Sequence, residues 1–255
     1  MRVIVACIAV GVLRACAAPA SAQAEIHTFH CWQGCPTGTP AANDLIVREI
    51  YSLSSNDETR FADWVAFRIT RETIGPSQSR NWRADPWLSD DETLEPPDYR
   101  GAFAALNTNR GHQAPLAAFS GTAFWSDTNY LSNIVPQLAP FNQGPWQQLE
   151  AAELDLVRAE GGALYVLTGP LYERTMPRLP GADEPHRLPS GFWRVIVTDQ
   201  GEIAAFAFVQ ETPRSANPCA HQVPLDEVEQ RSGLRLFPRL STRTFRPLAD
   251  RLGCP

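Results

Sequence analysis

The stretch Asn109-Arg-Gly-His-Gln-Ala-Pro-Leu-Ala-Ala-Phe-Ser-Gly121 places an arginine, a glycine and a histidine side by side at the edge of a small apolar run. A histidine in such a half-apolar segment is usually a satisfied core residue. It can also be a proton acceptor at neutral pH, because the unperturbed imidazole titrates near the working pH. His112, with Arg110 two residues before it, can be read only against its flanks. The segment "RGHQAPLA" reads as the end of a loop entering a strand, and "NYLSNIVPQ" (129–137) as another short extended piece. "WQQLEAAELDLVRAE" (146–160) has helical spacing, with Leu149, Leu154, Leu156 and Val157 apolar and the acids on the outer face.

Further out, "LIVREIYSLSSNDETRFADWVAFRIT" (45–70) reads as two strands joined by a polar turn, with alternation clearest in "WVAFRIT". A Pro- and Asp-rich connection (76–101) follows, of a length that is usually functional or disordered. "ALYVLTGPLYE" (163–173) is a buried strand. "GFWRVIVTD" and "EIAAFAFVQE" form an antiparallel pair around "DQG", and "PLDEVEQRSGL" is a short helix ending near Gly233. Strands, a helix, then more strands give an α+β fold with a mainly antiparallel central sheet flanked by helices.

The 255 residues suit one large domain or two small ones, and 44% apolar with 20% charged residues is ordinary for a globular protein. No repeat and no block of like charge is visible. Arg2, the apolar run Val3–Leu13 and the A-x-A pattern at Ala20–Ala22 read as an export signal spanning 1–22, leaving 23–255 as a single mature domain. The apolar run is too short to span a bilayer, so no membrane partner is expected. "LRAC" also loosely resembles a lipoprotein processing site at Cys16, although the arginine within it weighs against that. Export would place the protein in the periplasm or outside the cell.

Cys7 and Cys16 would leave with the signal. The remaining Cys31, Cys35, Cys219 and Cys254 suggest two disulfides in an oxidising compartment. Three pairings are open, the simplest joining the near pair and the far pair; a zinc site on the same four residues is the alternative. All 22 basic residues are Arg. After signal removal 20 of them face 28 acidic residues, a formal −8. That is the wrong sign for a protein that coats nucleic acid, but it is compatible with one local basic cleft containing a metal ion.

The pieces "RGHQAPLA", "NYLSNIVPQ", "NQGPWQQLE" (142–150) and "TGPLYER" (168–174) together resemble the DNA/RNA non-specific endonucleases of the ββα-metal (His-Me finger) type. The likeness extends over nearly the whole mature chain, from "CWQGCPTG" to "LGCP", and the offsets from His112 to the later Asn, Asn and Glu match the family without a gap. The resemblance implies a ββα-metal active-site motif and a secreted, Mg²⁺-dependent, sugar-non-specific endonuclease, with Mn²⁺ as the substitute ion. It would cut single- and double-stranded DNA and RNA to 5′-phosphorylated oligonucleotides.

It further implies His112 as general base, Asn142 as the one direct protein ligand to the metal, and Glu150 as holder of the ion's waters. Asn133 would support the site and substrate geometry. Arg80 would contact the scissile phosphate, and Arg110 would lie near that phosphate or brace the loop. The same resemblance implies Cys31–Cys35 and Cys219–Cys254 disulfides, and a homodimer, though monomers also occur in the family.

Three positions depart from the family pattern. Asn109 stands where the family has Asp, which removes a negative charge near Arg110 and His112. Pro145 requires the helix carrying Glu150 to start near Asn142 or bend there. Leu154 stands where an arginine is expected, with Arg158 as the nearest replacement. A catalytically silent relative that binds nucleic acid or a partner is the competing reading. The retention of His112, Asn142 and Glu150 argues against it, since binding alone does not need that trio.

Overall fold

Along Gly191–Thr198 every side chain is buried, yet successive residues belong to two different cores. Phe192 and Ile196 point to one side, and Trp193, Val195 and Val197 to the other. This period of two is that of a strand covered on both faces. In this computed structural model, which describes residues 26–241 and 243–254, that strand is near the middle of a seven-stranded sheet. The proposed signal segment 1–22 lies outside the described residues.

The strands are β1 (Asp44–Val47), β2 (Ser52–Asn56), β3 (Phe61–Thr70), β4 (Thr108–His112), β5 (Ile134–Leu138), β6 (Ala163–Leu171), β7 (Gly191–Thr198), β8 (Glu202–Val209) and β9 (Arg246–Pro247). The helices are α1 (Ala102–Leu106), α2 (Leu116–Phe119), α3 (Ala139–Phe141), α4 (Gln147–Glu160) and α5 (Leu225–Ser232). The large sheet runs β1-β2-β3-β6-β7-β8-β9, antiparallel except for the last pair, while β4 and β5 form a separate antiparallel ribbon. The fold is therefore α+β with a mainly antiparallel central sheet flanked by helices.

Helix α4 covers one face through Leu149, Leu154, Leu156 and Val157. Helix α5 covers the other through Val228, beside Cys31 and Cys35. The four described cysteines form two disulfides, Cys31–Cys35 and Cys219–Cys254.

Three local expectations are corrected. Residues 45–70 form three strands rather than two, because the chain turns at Arg48. The Arg48 side chain is buried in an ion pair with Asp85, with its guanidinium 3.9 Å from the Trp87 ring centroid and 4.2 Å from that of Tyr130. This arrangement also fastens the long connection 76–101 to the core, as does the Ser132 hydroxyl, which donates to Asp85 at 2.5 Å. Second, "RGHQAPLA" is the end of a strand leading into a helical turn, the reverse of the sequence reading. The carbonyl of Pro115 accepts from Ala118 N, starting α2 where strand pairing stops.

Third, the acids of α4 do not all face outward. Glu153 is fully buried and accepts two hydrogen bonds from the equally buried Arg194 of β7, at 2.5 and 2.7 Å. The guanidinium lies between the Phe67 and Trp146 rings, 5.5 and 5.0 Å from their centroids. Removing one partner of such a pair strands the other charge without solvent. Arg194→Ala is expected to lower the unfolding free energy by about 3–5 kcal/mol in a urea titration. A loss well below 1 kcal/mol would mean that the pair does not anchor α4.

Candidate active site

Strand β4 ends at His112 and pairs with β5 in a register that places His112 opposite Ile134 and Gly111 opposite Val135. Gly111 has no room for a side chain: a Cβ there would lie 2.1 Å from Gln137 Oε1. The ribbon is thus closed tightly just before the histidine. After β5 come α3, a π-type turn (Asn142–Trp146) and α4, which completes a strand–strand–helix unit.

Pro145 is accommodated by a break before α4. Gly144 leaves helical geometry (φ −120°, ψ −113°), and a Cβ on it would approach the Arg214 carbonyl oxygen to 2.5 Å. Asn142 lies before this break and Glu150 lies in the first turn of α4 proper.

A cleft of about 650 Å³ opens over this unit. It is lined by Arg80, Asn109, Arg110, His112, Asn142 and Glu150, among others. Five of the six side chains singled out in the sequence, His112, Asn142, Glu150, Arg80 and Arg110, therefore share one cavity. The sixth, Asn133, does not reach it. Its amide is buried and fully engaged: Oδ1 accepts from Ala114 N at 2.8 Å, and Nδ2 donates to Ala114 O and Thr128 O, both at 2.9 Å. Asn133 thus fixes the turn that follows His112.

The His112 imidazole is held neutral. Its pKa is lowered to about 4, first by burial and then by the positive charge of Arg80; the Asn129 amide acts in the opposite sense. Its Nε2 is buried without a hydrogen-bond partner. The neutral ring can take a proton from a water or substrate group in the cleft. Asn129 is absent from the residues picked out in the sequence. It is fully buried and also donates to Ser79 O at 3.5 Å, so it joins the histidine to the loop carrying Arg80. Only its place inside "NYLSNIVPQ" could have marked it.

Glu150 is perturbed the other way. Burial raises its pKa to about 7, against the pull of Arg194, whose Nη1 is 3.8 Å from Oε1. Glu150 Oε1 also lacks a hydrogen-bond partner. Asn142 Nδ2 donates to Asn109 Oδ1 at 3.2 Å, and Gln143 Nε2 donates to the same oxygen at 2.9 Å. Asn109 therefore orients the Asn142 amide by its nitrogen and leaves the amide oxygen available. An amide oxygen and an unpartnered carboxylate oxygen on one cleft wall are the hard donors that suit a divalent cation such as Mg²⁺.

Arg110 Nη2 donates to Pro96 O at 3.0 Å, and its guanidinium lies over Tyr99 (5.0 Å) and Trp82 (5.8 Å), which braces the loop. Arg80 is exposed in the cleft. Leu154, at the position where an arginine was expected, lines the same cavity, whereas Arg158 pairs with Asp155 at 3.0 Å.

The electrostatics give a direct test. In the metal-free protein, the His112 ring should titrate in NMR with a midpoint near 4 and well below 6.5. Arg80→Ala should move that midpoint upward, because loss of a nearby cation favours the imidazolium. An unmoved midpoint would show that Arg80 does not act on the ring.

Residues 34–243 match the DNA/RNA non-specific endonuclease family. The chain is 46% identical over 226 residues to a nuclease of Serratia marcescens, covering 87% of this chain and 85% of that protein. It is 28% identical over 230 residues to human mitochondrial endonuclease G, covering 81% and 73%. The fold superposes on a crystal structure of EndoG in complex with EndoGI with a TM-score of 0.68 at 24% identity, covering 80% of this chain and 89% of that one. With a match of this extent, the chain belongs to the DNA/RNA non-specific endonucleases, a family of metal-dependent nucleases, and is an endonuclease acting on phosphodiester bonds.

Proposed function

We propose that the cleft over the β4–β5–α4 unit hydrolyses DNA and RNA, single- and double-stranded, to 5′-phosphorylated oligonucleotides with Mg²⁺ as its cofactor and Mn²⁺ as a substitute. The observation that carries this reading is the neutral imidazole of His112 in one cavity with Arg80, Asn142 and Glu150.

His112 accepts on its neutral imidazole the proton of the water that attacks phosphorus. Asn129 faces the ring and favours its protonated form, which is the form produced in that step. Arg80 binds non-bridging oxygens of the phosphate and stabilises the charge that builds there. Its charge also holds the free histidine's pKa down. A bound phosphate offsets that charge, so substrate binding raises the basicity of the ring when it is needed. Asn142, through its amide oxygen, and Glu150, through its carboxylate, would hold the cation. When bound, that ion supplies Lewis-acid stabilisation of charge at the departing 3′ oxygen.

Contacts to phosphate position a strand without reading its bases, which accounts for action on any sequence. A site that neither requires nor excludes the 2′-hydroxyl accepts RNA and DNA alike. The two disulfides support a protein that works in an oxidising compartment, secreted or periplasmic. Among the described residues no helix is long and apolar enough to cross a membrane.

Supercoiled plasmid and a folded RNA, each incubated with Mg²⁺ and with EDTA, test the reading. Both should be degraded only with metal. His112→Ala should lower turnover by about 10²- to 10⁴-fold with the fold intact. Asn142→Ala should raise the Mg²⁺ concentration needed for half-maximal rate or abolish the response. Folded wild-type protein that binds both polymers without cutting them would instead mark a silent binding relative.

A further inference from the structure

Phe103 is 61% exposed and lines the same cleft as His112, Arg80 and Asn142. Of the strongly exposed large apolar side chains among the described residues, it is the one in that cavity. The other aromatic rings there are occupied: Tyr99 and Trp82 both lie against the Arg110 guanidinium. Phe103 has no such partner among the described residues.

Its backbone is nevertheless well fixed. Helix α1 begins after Gly101 (φ 75°) and closes at Asn107 (φ 53°), whose N–H donates to Phe103 O at 2.9 Å. Thr108 Oγ1 ties the helix to the first residue of β4 by donating to Ala102 O at 3.2 Å. A bare aromatic side chain on a fixed backbone therefore stands in the cleft, nine residues before the histidine on the same short segment.

We infer that Phe103 is a stacking platform for an unpaired nucleobase next to the scissile phosphate, and that it biases this endonuclease toward single-stranded or locally opened substrate. The inference rests on the function proposed above, and it specifies how that site takes its substrate. The chemistry suits a base rather than a phosphate, because phenylalanine offers a π face and no hydrogen bond. Every base presents such a face, so stacking adds affinity without reading sequence. The guanidinium of Arg80 in the same cavity supplies the backbone contact that a stacked strand also needs. Within a duplex both faces of a base are covered by its neighbours, so the platform can be used only where a base has left the stack.

Single-stranded DNA binding to the full mature protein, followed by fluorescence anisotropy in EDTA, gives a readout free of turnover. Base–aromatic stacking corresponds to about a 5- to 150-fold gain in affinity. Phe103→Ala is expected to weaken binding by roughly tenfold within that range, and Phe103→Trp to stay within about twofold of wild type. An abasic nucleotide walked along the oligonucleotide should weaken wild-type binding at one position, and that position should fall silent in Phe103→Ala. With Mg²⁺, the ratio of kcat/KM for single over double strands should drop in the same variant.

Equal binding by wild type and Phe103→Ala, with flat abasic scans in both, would overturn the platform while leaving the endonuclease reading intact. A Phe103→Ala deficit that Phe103→Trp shares would mark the position as structural and overturn it equally. Absence of Mg²⁺-dependent cleavage by wild type would instead remove the function beneath it.

Discussion

The pair between Glu153 and Arg194 sets where the functional helix sits. Both side chains are fully buried, and the carboxylate takes two hydrogen bonds from a guanidinium held between aromatic rings. Such a pair recovers its desolvation cost only in good geometry, so it tolerates little movement of α4 against β7. A slip of one residue would rotate the helix by about 100° and carry the carboxylate out of reach. Glu150 lies three residues earlier and so faces the same way. The unpartnered carboxylate of the cleft is thereby placed by a contact on the sheet, and Arg194 reaches it with its remaining nitrogen at 3.8 Å.

The polar side chains in and behind the cleft differ in how many of their atoms are engaged. Asn133 spends its amide on three backbone bonds and is buried behind the cleft. Asn142 spends only its nitrogen, on Asn109, and keeps an oxygen free. His112 Nε2 and Glu150 Oε1 make no close hydrogen bond. Three residues that line the cavity carry a buried side-chain atom without a close hydrogen-bond partner, Arg110 at Nε, His112 at Nε2 and Glu150 at Oε1, and burial moves the pKa values of the last two in opposite directions, to about 4 and about 7. The replacement of the family's Asp by Asn109 fits this economy, because the amide oxygen of Asn109 still accepts from both Asn142 and Gln143.

Much of the sheet was legible because alternation over β6, β7 and β8 is strong and the turn at 199–201 is short. Helix α4 was legible in its apolar spacing. The division of 45–70 into three strands was not, since it depends on Arg48 turning inward to Asp85, 37 residues away. The helical turn after His112 was read as a strand for the same kind of reason: its short apolar letters fit either state, and the end of the β4–β5 ribbon decided. Glu153 looked like a solvated helix residue because its partner lies in a strand 41 positions later.

The sequence by itself determined the fold class through its alternation and helical spacing, and its resemblance to the family pointed to the strand–strand–helix motif and to the histidine, the arginines and the oxygen donors as candidates. Tertiary structure decided what each of them is free to do. It closed Asn133 and braced Arg110. It brought Asn129 to the ring of His112, and it left Phe103 bare on the cleft wall. The physical reason is that availability is set by desolvation and by hydrogen-bond partners, and those partners come from segments that only the packed sheet brings together.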